Sequence, residues 1–263
     1  MTAAPCSLPA TEPAAGNQIA DHLDYFFRTV LAPDDALKSP TCFRYITGEP
    51  HPLGNLAVFN RAASPSDVIR DAEPLREAGV PTAIAFLDAG TPEQIAAASS
   101  LGFAPAESMP LMSVTPDRLA ATKLPDGYTC REVMPAEADA WARAVSDGYG
   151  LPRAIGRLFG VDRAAARAPG AAHYYAAEHE GRMVATSLVF LHDGLAGIYG
   201  VATLPEHRGR GLGGHLTAEP LRAAWRRGYT TGLLQASEMG APVYTRLGFH
   251  AHGHMALLAR VPE

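Results

Sequence analysis

Apolar residues recur with helical spacing early in the chain, where Ile19, Leu23, Phe26, Phe27 and Val30 share one side of a helix predicted from about Gln18 to Leu31. Ahead of it, residues 1–15 are rich in Ala, Pro, Ser and Thr without periodicity and read as a loose tail. Short apolar runs predict strands at Phe43 to Thr47 and Leu56 to Asn60, and a buried strand at Thr82 to Leu87. Between and after these lie a helix near Ser66 to Ala78, with Ser64 or Ser66 as its cap, and a helix from Pro92 to Leu101 that stops at Gly102. Phe103 to Val114 carries the chain onward, broken by Pro105 and Pro110. Pro116 to Gly127, closing on Pro125-Asp126-Gly127, reads as a connector.

Beyond it the pattern predicts a strand at Tyr128 to Val133, a helix near Pro135 to Asp147, and another near Pro152 to Ala168 closed by Gly170. Strands follow at His173 to Glu178, Met183 to Leu191 and Leu195 to Thr203. Their connections, Glu180-Gly181-Arg182 and His192-Asp193-Gly194, are short enough for an antiparallel meander. A helix from Gly213 to Arg227, a strand at Thr231 to Gln235, a short helix at Ala241 to Leu247 and a strand region from Phe249 to Ala259 complete the chain. One internal repeat emerges: Leu101-Gly-Phe with Met109-x-Leu111 returns as Leu247-Gly-Phe with Met255-x-Leu257, each time after a strand and a short helix. We read this as duplication, with the first copy diverged.

Length and composition narrow the class. The chain has 263 residues, 47% hydrophobic and 19% charged, enough for two ordinary domains with real cores. Cys6, Cys42 and Cys130 are odd in number and widely spaced, which supports neither a disulfide framework nor a zinc site and points to a reducing cytoplasm. No basic and apolar leader and no spanning run is expected. Charge is uneven: up to Gly127 there are 8 Lys/Arg against 15 Asp/Glu, a net of −7, and from Tyr128 onward 14 against 12, a net of +2. Such a balance argues against a nucleic-acid partner, but a mildly basic half with clustered arginines suits one small polyanion.

That directs attention to Val201-Ala-Thr-Leu-Pro-Glu-His-Arg-Gly-Arg-Gly-Leu-Gly-Gly214, between an apolar strand and an amphipathic helix. Gly209, Gly211, Gly213 and Gly214 let backbone approach a ligand closely, and the following helix presents unpaired N–H groups. With Arg208 and Arg210 alongside, the natural guest is a pyrophosphate. Gly209 to Gly214 also spells GxGxxG, but a dinucleotide fold needs a parallel βαβ series and an acidic residue about 20 positions on. Here a meander precedes the motif and the next strand ends in Gln235-Ala-Ser.

These residues resemble the acyl-CoA-binding motif of the GNAT superfamily of N-acetyltransferases, Arg/Gln-x-x-Gly-x-Gly/Ala, filled by Arg208, Gly211 and Gly213. Ala241-Pro-Val-Tyr-Thr-Arg-Leu-Gly-Phe is similar to the family's short helix and following strand, with Tyr244, Gly248 and Phe249 matching. The resemblance covers Tyr128 to the C-terminus. It implies an α/β fold with a mixed, mostly antiparallel sheet flanked by helices, in a tandem: residues 1–115 a degenerate GNAT-like domain, 116–127 a linker, 128–263 the catalytic domain. It further implies acetyl-CoA as donor and an amine acceptor whose identity the sequence does not name, with CoA binding without turnover as the alternative.

Residue by residue, the resemblance assigns the pantetheine arm to the strand at Val201, Ala202 and Thr203. It assigns the pyrophosphate to Arg208, Gly209, Arg210, Gly211, Leu212, Gly213 and Gly214. Ser237 stands where many members carry an Asn, and Tyr244 is the implied proton donor to the leaving thiolate. The glutamate that many members use as base maps to Gly197, so an ordered water or one of Glu238, His192 and Glu206 is left for that role. Tyr149, Arg153 and Phe159 occupy the region expected to shape the acceptor pocket. His250, His252 and His254 alternate and so are expected to share one face of a strand, as a solvated or acceptor-facing row and not a metal site. Arg222, Arg226 and Arg227 read as a solvated basic face at a helix C-terminus.

Overall fold

The computed structural model describes residues 16–262; the tail expected over residues 1–15, Cys6 included, lies outside them. The first half runs α1 (Gly16–Phe26, continued by a π-helical turn to Leu31), β1 (Leu37–Lys38), β2 (Cys42–Ile46), β3 (Asn55–Phe59), α2 (Pro65–Glu77), β4 (Thr82–Phe86), α3 (Pro92–Ser100) and β5 (Ala104–Val114). The second runs β6 (Tyr128–Glu132), α4 (Ala138–Tyr149), α5 (Arg153–Leu158), α6 (Val161–Arg167), β7 (Ala172–His179), β8 (Arg182–His192), β9 (Leu195–Thr203), α7 (Leu212–Arg226), β10 (Thr231–Gln235), α8 (Ala241–Arg246) and β11 (His250–Arg260). The helix expected over Pro152 to Ala168 is two helices. It breaks at Phe159–Gly160, whose carbonyls both accept from the buried Tyr174 hydroxyl.

All strands join one sheet in the order β1-β2-β3-β4-β11-β5-β10-β9-β8-β7-β6. Each half contributes an antiparallel meander followed by a parallel neighbour, β3 to β4 and β9 to β10. The last strand of each half then crosses over: β11 pairs with β4, β5 pairs with β10, and β5 and β11 pair with each other at the centre. In that central ladder Met109 faces Met255, the two methionines that the sequence repeat makes equivalent. A local two-fold axis therefore passes between them, perpendicular to the sheet. Gly102 (φ 86°) and Gly248 (φ 97°) make the same left-handed turn into these strands, and Phe103 and Phe249 behind them are both buried. The two expected breaks in β5 do not occur. Pro110 stands where the ladder to β10 ends, its carbonyl still accepting from Ala236 N–H, and Pro105 flanks a bulge against β11.

Alternation along the strands divides the core. On one face a single apolar cluster joins α1, Trp141 and Val145 of α4, and the inward residues of both halves, including Val58, Ala85, Leu111, Tyr199 and Leu233. On the other face α2 and α3 cover the first half with one cluster and α7 and α8 the second with another. The connector lies on the second half, with Ala120 N–H donating to Leu247 O and Arg222 to Ala120 O. Arg222 is thus tied down by Glu219, Thr122 and Ala120, a correction to its reading as a solvated face. No helix among the described residues is long and apolar enough to cross a membrane.

The two equivalent glycines differ in surroundings. An added Cβ at Gly248 lands 2.1 Å from the Arg118 carbonyl oxygen, whereas at Gly102 the nearest atom is the flexible Arg260 Nε at 3.4 Å. Gly102→Ala is therefore expected to cost about 1–2 kcal/mol of left-handed strain, and Gly248→Ala at least about 1–2 kcal/mol more because backbone must move. Urea denaturation of both variants checks the order; equal losses would count against the packing described.

Candidate active site

Parallel pairing of β9 with β10 joins Leu195, Ala196 and Gly197 to Thr231, Gly232 and Leu233 and then stops, although β9 runs on to Thr203 and β10 to Gln235. A bulge in β9 against β8 explains the divergence. Gly200 takes φ 58°, its carbonyl accepts from the Thr186 hydroxyl at 2.8 Å, and any Cβ there meets the Trp141 ring at 3.0 Å. Val201, Ala202 and Thr203 thereby face an open cleft with backbone groups that β10 does not reach. A strand-like ligand can add to such an edge.

At the mouth of the cleft, Gly209 (φ 75°) and Gly211 (φ 83°) turn the chain into α7, and Gly211 caps it with no side-chain partner for its first N–H groups. An added Cβ meets nothing at Gly209 or Gly211, and only Val201 at 3.7 Å at Gly213. Leu212 is buried and anchors the turn. The bare amides and helix dipole of this 15-residue helix suit a pyrophosphate. Arg208 is placed differently from its expected role: its side chain donates to Thr203 O at 3.2 Å and Gly148 O at 2.8 Å, bracing the end of β9 against α4. Arg210 donates to Glu206 O at 3.4 Å.

The corresponding place in the first half is closed. There β3 and β4 stay paired from Leu56–Ala83 to Phe59–Phe86. The α2 N-terminus is satisfied by its own capping box, Ser64 with Asp67, and backbone and hydroxyl hydrogen bonds from Ser64 hold the Asp67 carboxyl down at about 2. A carboxylate already occupies the position an anion needs.

Inside the cleft, the Tyr244 phenol lies beside Thr217 of α7; burial pushes it up to about 12, partly opposed by Thr217, so it stays protonated at neutral pH. Tyr149, at the end of α4, is raised by burial of its hydroxyl and then by the nearby Tyr244. Ser237 Oγ accepts from Gly240 N–H at 3.2 Å, within the turn that starts α8. Of the other pocket candidates, Arg153 is turned back onto Arg143 O and Asp147, and Phe159 packs against the core. Glu206 pairs with Arg182 at 3.6 Å. Glu238 lines an open groove of about 760 Å³ with Glu107, Pro242, Thr245 and Arg246, whereas Val243 and Tyr244 face the core. The three histidines do not share a face. A bulge at His252 reverses the alternation, so His250 pairs opposite Ser113 and His254 opposite Pro110.

Nothing in the local pattern of the first helix singled out His22. This α1 residue is 2% exposed, its Nδ1 lies 2.9 Å from the Tyr199 hydroxyl, and a Cβ at Gly197 falls 2.4 Å from its Cε1. A ring from the first half thus fills the space beside Gly197. Nε2 makes no well-formed hydrogen bond. Gln235, facing the same side of the sheet from β10, also holds a buried, unpartnered Oε1. His22 is 177 residues from Tyr199, and only the empty position at Gly197 hinted that something must fill it.

Residues 170–251 match the family described as acetyltransferase (GNAT) domain. A mycothiol acetyltransferase of Streptomyces avermitilis is 30% identical over 143 residues, 51% of this chain and 46% of that protein, so the match spans about half the length of the curated relative. Among solved structures, a GCN5-related N-acetyltransferase from Kribbella flavida superposes with TM-score 0.63 at 20% identity, covering 96% of this chain and 97% of that one. A GCN5-related N-acetyltransferase from Sphaerobacter thermophilus gives 0.62 at 19%, covering 84% and 76%. A tandem GNAT protein from the clavulanic acid biosynthesis pathway gives 0.58 at 16%, covering 96% and 91%. These structural likenesses speak to fold.

Burial, and then the neighbouring His192, push His22 from its ordinary 6.5 down to about 3, with the backbone at Phe190 and Leu195 partly opposing. The unfolded chain therefore binds a proton below about 6.5 that the folded chain refuses. This share of stability is present above that pH and is lost on acidification toward 3, at up to about 1.4 kcal/mol per pH unit. His22→Gln is expected to flatten the slope of unfolding free energy between pH 7 and 5; an unaltered slope in urea titrations would mean the ring is charged in the fold.

Proposed function

We propose that this chain, which carries a domain of the GNAT superfamily in its second half, moves an acetyl group from acetyl-CoA to a primary amine. The observation that carries the reading is the conjunction of an open β9–β10 edge with an uncapped, glycine-turned helix N-terminus at its mouth, present in the second half and closed in the first. In this reading Val201, Ala202 and Thr203 hold the pantetheine arm as an added strand, and the backbone from Arg208 to Gly214 receives the pyrophosphate. Arg208 acts mainly as the brace that keeps the mouth in shape. Ser237 keeps one hydroxyl proton to offer the arm. The name of the Streptomyces relative, an acetyltransferase, supports the donor. The two described cysteines are free thiols, which suits the cytoplasm as its compartment.

The chemistry asks for a neutral amine, a stabilised oxyanion and a proton for the thiolate. In this reading a backbone N–H at the bulge near Gly200 or Val201 polarises the thioester carbonyl. Nitrogen attacks the carbonyl carbon, the C–S bond breaks, and Tyr244 gives its proton to sulfur. One observation favours the second reading, CoA binding without turnover: Gly197 places no carboxylate on β9, and His22 leaves no room for one.

Gly213→Asp separates ligand from fold. Because a Cβ there makes only an ordinary contact and a carboxylate suits a helix N-terminus, stability should hold or rise by up to about 1 kcal/mol, while the added charge repels the pyrophosphate and acetyl-CoA affinity falls by about tenfold or more, near 1.4 kcal/mol. Calorimetry that finds the affinity unmoved would remove the pyrophosphate assignment. Tyr244→Phe should leave melting temperature and acetyl-CoA Kd in place and lower kcat by about 10²-fold. An unchanged kcat where chemistry limits turnover would reduce Tyr244 to packing, and acetyl-CoA binding with no CoA release across a broad amine panel would favour the second reading.

A further inference from the structure

On one face of the cleft, register places equivalent residues on its two lips. Gly197 pairs with Leu233 as the last rung, and two residues further along each strand, on the same side, stand Tyr199 and Gln235. Behind Tyr199 lies His22 from the first half, and on the other face of the sheet, where α7 and α8 pack, the Tyr244 phenol lies beside the Thr217 hydroxyl and near Tyr149. All six groups are uncharged. His22 Nε2 and Gln235 Oε1 are buried without good partners.

The nearby carboxylates are engaged or turned away. Asp147 pairs with Arg153 at 2.9 Å, and Glu206 with Arg182 at 3.6 Å. Glu238 opens into the groove lined by the outer residues of α8, while Tyr244 faces inward. On α1 itself, Asp21 is held by Arg61 and Asp24 by Arg28. The groups facing His22 are Tyr199 from β9 and His192 from β8, with Tyr25 of its own helix stacked on His192 at 3.7 Å. From β11, His252 lies by the start of α1, hydrogen-bonded to Ser113. At the cleft mouth stand the cationic Arg208 and Arg210, each bonded to backbone carbonyls.

An ammonium entering here loses water and finds no counter-ion, with two guanidiniums at the far end of the same cleft. Desolvation without compensation disfavours the charged form, so the free amine is the species that such walls admit. We propose, resting on the acetyl-transfer reading, that the acceptor is a weakly basic primary amine bound as its free base, in a site the two halves of the chain build together around His22, Tyr199 and Gln235. The nitrogen then arrives with its lone pair available. It bonds to the carbonyl carbon, sulfur leaves and takes the Tyr244 proton, and the surplus proton on nitrogen passes to water, from which Tyr244 is restored. Aliphatic side-chain amines, with conjugate-acid values near 10.4, are about 1 part in 800 free base at pH 7.5; α-amines, near 7.8, are about one third.

The test is CoA release by the full chain with primary amines of similar bulk whose conjugate acids span that range, each over pH 6 to 9.5. Expected is a kcat/KM at pH 7.5 that falls on the order of 10²-fold from α-amine to lysine-type amine. The rising limb should move with the conjugate-acid value of each amine. A limb that stays at one pH for every acceptor, or a lysine-type amine used as well as an α-amine, would overturn the proposal by revealing a base. Gln235→Glu adds the missing carboxylate and should narrow the discrimination about tenfold; an unaltered ratio would take Gln235 out of the site. Nuclear magnetic resonance of labelled histidines in the acetyl-CoA complex reads the site without turnover: His22 should show no titration between pH 5.5 and 9, and a midpoint inside that window would overturn the neutral wall. Failure of acetyl-CoA to bind at all would instead reject the transfer reading on which this rests.

Discussion

The pairing of β5 with β11 is the constraint on which the rest of the molecule depends. Each is the last strand of its half, and each is hydrogen-bonded on its other side to the half it did not come from. Backbone polar groups along both must be paired because both are interior to the sheet. One ladder thereby makes two separate sheets continuous, sets the local two-fold axis at Met109 and Met255, and lets α1 reach β9 on the shared face. Without that exchange the His22 ring would have no reason to lie beside Gly197.

From this frame the two halves diverge by small local choices. In both, a strand, a turn and a helix follow the same order. In the second, a bulge at Gly200 and the glycines before α7 part the strands and leave the helix amides bare. In the first, β3 stays paired with β4 and the Ser64–Asp67 box takes up the helix N-terminus. The halves thus share an order of elements and differ in whether the strands part and the helix amides stay bare.

Most elements were legible in the sequence because they are short, apolar and punctuated by glycine or proline. The meander β7 to β9, α7, β10 and both Leu-Gly-Phe turns fall within a residue or two of expectation, and the cradle was legible because its residues are contiguous. What escaped notice was long-range or depended on register. The exchange of β5 and β11 is invisible to periodicity, since either partner satisfies the same alternation. His22 is a helix residue like its neighbours until the chain folds it against a position 175 residues away. The histidine row failed because one bulged residue reverses every side chain after it, and Arg208 is spent on carbonyls that only the folded loop brings near. The proline breaks in β5 failed because the ladder to β10 ends just where Pro110 lacks its donor.

Strand exchange also imposes an order on biogenesis. The edge of β4 cannot be covered until residues 250–260 have been synthesised, although every other strand of the first half exists long before. Until then the nascent first half exposes an apolar strand edge of the kind that recruits unwanted partners. Its sequence separation makes this one of the slowest contacts to form. Completion of the sheet in both halves therefore waits on the last strand, and a chain cut short before residue 250 leaves unpaired the edges of β4 and β5 that face β11.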